Sequence, residues 1–408
     1  MRIAFITYEF PPDTGKGGIG TYVKQVATAM SGIGWDVQVF AGSPLRSGIE
    51  IHDEYCVHRI QCDNSKSFRN KVLNSFTIEY DALTFDVIES PEIGGNAWII
   101  KMKYPELPLV VRLHAPNYLV ESLKKKYIPF FAKLRFVLGA LKKLKWDLGY
   151  WRKYKKETDP DFQFVLLADF ISAPSAAMKD WVVQHWDIAP EKITVIPNVF
   201  LAPDALLQIP IQRNAVSKQI VFFGRLNVLK GLVNASIAMK KILQQYPDWK
   251  FKVIGDDGAG PYAGISMRSW MKKKLVSVLS QVEFVDGMDY DSLPAAIADA
   301  EIVLLPSLFE SYSYTCAEAM AAGKAIVGSN MGGMAMLIEH EKSGMLANPD
   351  SSNTIYDCLK KMIDDNETRY QLALHARDRI QQEWSAEKII IQFAGYYKSA
   401  VANSLAKN

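Results

Sequence analysis

The run Ile302-Val-Leu-Leu-Pro306-Ser-Leu-Phe-Glu310-Ser-Tyr-Ser-Tyr-Thr-Cys-Ala-Glu318-Ala-Met320 decides the reading of this chain. Ile302 to Leu305 is an apolar run that reads as a buried strand, stopped at Pro306. A short polar loop follows, then a helix. Strand, loop and helix make the repeating unit of an open parallel α/β sheet, which holds ligands at its strands' carboxyl ends. Glu310 falls in the loop, and Glu318 about one turn into the helix, toward the same side. One carboxylate can accept hydrogen bonds from sugar hydroxyls and the other from ribose hydroxyls. The N–H groups of Ser311, Tyr312 and Ser313 can meet an anion at the helix start. An acid that merely favours the helix dipole would explain Glu318 but not Glu310.

Working outward, further strand signals lie at Ile220 to Phe223, Phe251 to Ile254, Val282 to Val285 and Ala325 to Val327, with helical segments between them. The N-terminal half has the same plan, with Ile3 to Thr7, Val37 to Phe40, Phe85 to Ile88, Leu109 to Leu113, Phe170 to Ser172 and Ile193 to Ile196. Residues 197–217 are rich in Pro, Asn and Ala and read as a linker. The spacing predicts an N-terminal domain over 1–200 and a second over 201–385. A final amphipathic helix over 386–408 is expected to pack back on the first. Two domains suit 408 residues. The site is expected in the cleft between them.

Composition excludes several classes. Apolar residues are 49% and charged residues 22%, as in soluble globular enzymes. Four scattered cysteines, with no Cys-x-x-Cys pair, argue against a zinc site or disulfide framework and suit a reducing compartment. No apolar run reaches the roughly 18 residues of a spanning helix. The apolar start is too short for a signal-peptide core, so a cytoplasmic location is expected. The net charge of +3 conceals one cationic segment. Residues 121–156 hold 12 Lys or Arg against Glu121 and Asp147, with interleaved aromatics and apolar residues at helical spacing. Such a segment suits an anionic membrane surface, at the inner face of the plasma membrane. Its alternative is a helix with a solvated basic face. No nucleic-acid recognition module accompanies it, and no nucleic-acid partner is expected.

Other residues carry chemistry at strand ends. Gly15, Gly17, Gly18 and Gly20 follow the first strand and open a helix; their spacing is not Walker A, and the formal Gly-x-Gly-x-x-Gly match at 15, 17 and 20 is a weak signal by itself. Gly224-Arg225 follows the strand at 220–223, and Lys230-Gly231 lies five residues on. An arginine fork and a lysine point charge together suit a diphosphate. His114 follows the strand at 109–113, and Glu89-Ser90-Pro91-Glu92 ends the strand at 85–88.

The order Gly-Gly, Gly-Arg-(x4)-Lys-Gly, Pro-Ser-(x2)-Glu-(x7)-Glu-Ala-Met and Gly-Gly resembles the retaining nucleotide-sugar glycosyltransferases of family 4 (glycosyltransferase group 1). The resemblance covers nearly the whole chain. It implies the GT-B fold, two Rossmann-like α/β/α domains facing a central cleft. It also implies that Gly17 and Gly18 face the diphosphate or the acceptor, while Arg225 and Lys230 hold the diphosphate. By the same resemblance Glu310 contacts the donor sugar, Glu318 contacts the ribose, and His114 stands beside the anomeric carbon.

The implied reaction is metal-independent transfer of a hexose from a nucleotide-diphosphate sugar, UDP favoured over GDP, to a glycan or lipid-linked acceptor. Surface polysaccharide or glycolipid synthesis is the implied setting, and no cofactor is expected. Three positions depart from the family pattern. Ser311-Tyr312-Ser313-Tyr314 stands where Gly-Phe-Gly is common, Val199 where Gly is usual, and Met334-Ala335-Met336 where Pro-Glu is common. Asp289-Tyr290-Asp291 and Asp159-Pro160-Asp161 read as Asp-x-Asp, a metal signature, but lack the strand context it needs. The alternatives are an epimerase or hydrolase of the same fold, or a non-catalytic nucleotide-sugar binder. A two-carboxylate glycosidase reading of Glu310 and Glu318 is disfavoured by their place on one loop and helix beside a phosphate clamp. A dinucleotide oxidoreductase is disfavoured because no acidic residue follows the second strand at Val37 to Phe40.

Overall fold

The computed structural model describes residues 1–406 except 16, 53–54, 129, 143–152, 215 and 263. The chain divides into two compact units: residues 1–117, 155–201 and 384–408 form the first, and 118–154 with 202–383 the second.

The first unit is built on eight strands: β1 Arg2–Thr7, β2 Asp36–Ser43, β3 Gly48–Ile51, β4 Cys56–Gln61, β5 Val87–Pro91, β6 Leu109–Arg112, β7 Phe170–Ala173 and β8 Ile193–Val195. Their order is β3-β4-β2-β1-β5-β6-β7-β8, parallel except for β3, which runs antiparallel to β4. β1 is buried along its whole length, as its apolar run requires of a strand covered on both faces. Ile3 lies beside Val37 on one side and Val87 on the other. From β1 the chain winds out through β2 and β4, then returns to β5 on the opposite flank. The β1/β5 junction is therefore the topological switch point, where open sheets hold ligands.

The second unit has six parallel strands: β9 Gln219–Phe223, β10 Lys250–Ile254, β11 Val282–Val285, β12 Ile302–Leu305, β13 Ala325–Ser329 and β14 Met345–Ala347. Their order is β11-β10-β9-β12-β13-β14. The switch point falls between β9 and β12. Phe222, Phe251, Val253, Met239, Ile355 and Leu359 are fully or almost fully buried in this unit's core.

Three strands escaped the sequence reading. β4 carries His58 and Arg59, both buried, so its pattern is not apolar. Arg59 is satisfied there by the carbonyls of Phe10 and Pro11 and by Glu50. β3 is a four-residue edge whose Ile49 and Ile51 are exposed. β14 has only three residues.

Sequence order would put 121–156 in the N-terminal domain, but residues 118–154 group with the second unit. Its helices Asn117–Lys125 and Phe130–Lys142 flank an anchor on that unit. Lys126 pairs with Asp350, and Tyr127 packs on the second unit's core while its hydroxyl accepts from Asn234 at 3.4 Å. Residues 143–152 of the basic segment lie outside the described residues.

Helix Ala386–Leu405 belongs to the first unit. Phe393 and Tyr397 are fully buried, and the Tyr397 hydroxyl donates to Glu89 at 2.6 Å. Among the described residues no helix is long and apolar enough to cross a membrane.

Candidate active site

The second unit's switch point brings two loops together. The loop after β9 carries Arg225 and Lys230; the loop after β12 carries Ser307 to Ser313. Leu308 donates its backbone N–H to the Leu229 carbonyl at 2.8 Å, joining them. Lys230 Nζ lies 2.5 Å from Glu310 Oε1, and the Ser307 hydroxyl donates to the same oxygen at 2.9 Å. Both charged side chains are mostly buried, at 25% and 19% exposure.

Glycines permit this approach. Gly231 has φ +67°, and a Cβ there would stand 1.7 Å from the Pro306 carbonyl oxygen. Gly332 has φ +80°, and its Cβ would meet the Glu310 carbonyl oxygen at 2.2 Å. Only a residue without a side chain fits either place. Gly333 N–H donates to that carbonyl at 2.6 Å, so the Gly-Gly pair clamps the Glu310 backbone.

The helix Tyr314–Ala321 starts at Ser313, whose hydroxyl accepts from Cys316 N–H at 3.3 Å. Among the described residues no protein acceptor faces the N–H groups of Ser311, Tyr312 or Ser313. Tyr312 is buried, and its hydroxyl has no protein partner. Glu318 is 5% exposed, and burial pushes its carboxyl up to about 7. The Tyr290 hydroxyl and Lys230 act in the opposite direction. Arg225 is exposed and has no ion-pair partner among the described residues.

In the first unit, Gly17 is the N-cap of helix Gly18–Gly32, with no side-chain cap. A Cβ on Gly18 would meet nothing within 4 Å, whereas one on Gly15 would strike Glu9 at 2.5 Å. The protein's own packing therefore demands glycine at 15 but not at 18. His114 is 6% exposed, and its Nε2 is buried with no protein partner. Burial, with Arg112 nearby, lowers its ring to about 3, so it is neutral at physiological pH. Tyr22 meets the ring edge-on at 5.2 Å. Glu89 accepts from Tyr22 at 2.7 Å and from Tyr397.

Two family models match in series. "Glycosyltransferase Family 4" matches residues 16–200, and "Glycosyl transferases group 1" matches residues 209–379. The chain is a family 4 glycosyltransferase. It is 22% identical to the glycogen synthase of Mycobacterium tuberculosis over 427 residues, covering 98% of this chain and 95% of that protein. Among solved structures, the sucrose-phosphate synthase of Thermosynechococcus elongatus superposes with a TM-score of 0.75 at 19% identity, covering 98% and 99% of the two chains. The Anabaena protein HepE in complex with UDP-glucose superposes at 0.67 with 19% identity, covering 98% and 100%. These likenesses show the GT-B fold, with two Rossmann-like units.

Within the glycosyltransferase, Lys230 and Glu310 meet directly, while Arg225 stands apart from the pair. The Asp-x-Asp patterns have other occupations. Asp159 caps helix Pro160–Val165, and Asp161 accepts from Asn117. Between Asp289 and Asp291, it is the tyrosine that reaches Glu318. Ser307 and Tyr290 were not singled out from the sequence as site residues. Ser307 could be found from its place three residues before Glu310. Tyr290 carries no signal until β11 and β12 are placed.

Proposed function

We propose that this glycosyltransferase moves a hexose, with retention of configuration and without a metal, from a nucleotide-diphosphate sugar to a glycan or lipid-linked acceptor. The carrying observation is the Lys230–Glu310 junction at the second unit's switch point, beside the unengaged N–H groups of Ser311 to Ser313. Lys230 and Arg225 would stabilise the negative charge that grows on the departing diphosphate, a task that falls to a divalent ion in other enzymes. The unengaged N–H groups would add to this at the helix start. Glu310 would then accept from the sugar's hydroxyls and Glu318 from the ribose.

The neutral His114 ring would stand on the acceptor side, beside the anomeric carbon. The open space at Gly18 would admit a ligand's phosphate or an acceptor hydroxyl. Uridine is favoured as the base, supported by the UDP-glucose held by the Anabaena neighbour. Surface polysaccharide or glycolipid synthesis is the proposed setting, and the inner face of the plasma membrane the proposed place. Its support is helix Phe130–Lys142, where Phe131, Leu134, Leu138 and Leu141 are 38–79% exposed among Lys133 and Arg135.

The test is a donor panel of UDP-, GDP- and ADP-hexoses, with and without EDTA, and with the product anomer assigned by NMR. Transfer that keeps the donor's anomeric configuration and survives EDTA is expected. Activity that disappears in EDTA and returns with a divalent ion refutes the metal-free mechanism. Donor consumption unchanged by any acceptor favours the hydrolase reading.

A further inference from the structure

Two carboxyl groups of the first unit have no part in the reaction as proposed. Glu92, just after β5, is fully buried, and both its oxygens accept from the backbone N–H of His114 at 2.9 Å. Asp161 is 1% exposed. It accepts from the backbone N–H and side-chain amide of Asn117 at 2.9 and 3.0 Å, and from Gly94 N–H at 3.4 Å. Two carboxyl groups thus tie together the turn after β5, the loop after β6 and the start of helix Pro160–Val165. Among the described residues, no Lys or Arg forms an ion pair with either acid. Burying a carboxyl without a cation is costly, and an apolar side chain would fill the place more cheaply. What they hold is the loop that carries His114, whose Nε2 has no protein partner.

We infer that Glu92 and Asp161 are positioning residues that fix the backbone of the 113–117 loop and thereby place the His114 imidazole. The catalytic half of this inference rests on the transferase reading; the structural half does not. The ionisable groups that act on one another here are Glu92, Asp161, Asp159, His114 and Arg112, and Asp159 adds to the rise of Asp161. Burial pushes Glu92 up to about 8, with Asp161 adding to the rise, and raises Asp161 likewise. His114, beside Arg112, stays neutral.

Steady-state kinetics and histidine NMR test this on the full chain. Glu92→Ala should lower kcat by about 100-fold with little change in donor KM, the cost of a misplaced group. The double variant Glu92→Ala/His114→Ala should lose no more than His114→Ala alone. Glu92→Gln keeps a carbonyl acceptor and cannot ionise. It should recover most of the loss and abolish the change in rate near pH 8. Independently of turnover, the His114 ring should stay neutral down to about pH 4 in the wild type and titrate nearer the usual 6.5 in Glu92→Ala. Additive losses in the double variant, or a His114 titration untouched by Glu92→Ala, overturn the inference. If Glu92→Ala does not fold, an alkaline limb identical in Glu92→Gln and wild type overturns it. A wild type that turns over no nucleotide sugar refutes the transferase reading, while the NMR titration still decides the loop.

Discussion

Lys230 and Glu310 stand 80 residues apart in sequence and 2.5 Å apart in space. Their pairing follows from β9 and β12 being neighbours at a switch point. It neutralises a cation and a carboxylate that ligand binding would redirect, one to phosphate oxygens and the other to sugar hydroxyls. Lys230→Ala should lower kcat by roughly 10²–10³-fold, the usual cost of removing one group that stabilises developing charge. Glu310→Gln should lower kcat/KM as well. Initial rates at saturating and subsaturating donor check both. A Lys230→Ala change confined to KM would mean that the lysine binds ground state and transition state alike.

Nucleotide binding should report the base. UDP in excess should raise the unfolding temperature more than GDP or ADP at equal concentration. A ligand at 100 times its Kd adds about 2.7 kcal/mol. Thermal scans of the full chain measure this directly, and a larger shift with GDP would reverse the base assignment.

Glu318 gives the binding a pH dependence with a definite sign. Its carboxyl is raised to about 7, so below that pH it is largely protonated and accepts poorly. A ribose that donates to the ionised form should bind more tightly as pH rises through 7, then level off about one unit above it. Titration calorimetry with UDP between pH 5.5 and 8.5, an interval of about 1.5 units either side of that value, tests this. Glu318→Gln should flatten the profile. For stability the sign is opposite: a raised carboxyl pKa costs stability that grows from the unfolded value up to about 7.

The glycines separate two roles. Gly231→Ala forces a Cβ to within 1.7 Å of the Pro306 carbonyl at φ +67°. It should destabilise the protein by more than about 2 kcal/mol in urea unfolding. Gly18→Ala meets nothing and should leave stability within about 0.5 kcal/mol. On the proposed function the space it fills would be ligand space, so it should nevertheless reduce turnover. Full activity in Gly18→Ala would remove that glycine from the site.

The exposed face of helix Phe130–Lys142 should bind vesicles containing anionic lipid. Phe131→Ser with Lys133→Glu and Arg135→Glu should reduce cosedimentation by more than about tenfold, since each basic residue near such a surface contributes about 1 kcal/mol. Unchanged sedimentation would leave that face without a lipid role.

Much of this was legible in the sequence because a strand covered on both faces must be an apolar run. β1, β9, β12 and β13 meet that condition. β4 hides because His58 and Arg59 are buried through polar partners supplied by distant segments. The site motifs were legible as an ordered set, since glycine, cations and acids must follow particular strands. Their meeting was not, because spacing does not reveal that β12 lies beside β9. Nor does it reveal that Tyr127 packs on Asn234 and Asp350, which joins 118–142 to the second unit. The part played by Glu92 and Asp161 leaves no sign in the sequence, because most of their partners are backbone N–H groups, which every residue has.

The bond from Tyr397 to Glu89 spans 308 residues. A ribosome emits the chain from its N-terminus, and domains ordinarily fold in that order. Here the earlier unit waits for the later one. Residues 202–383 contain their whole sheet and can close as soon as they emerge. Glu89 lacks one of its two tyrosine donors until the final helix is released. Of the two units, the one begun first is therefore the one finished last, and a chain cut at 383 would keep its second sheet whole while leaving the first unit open.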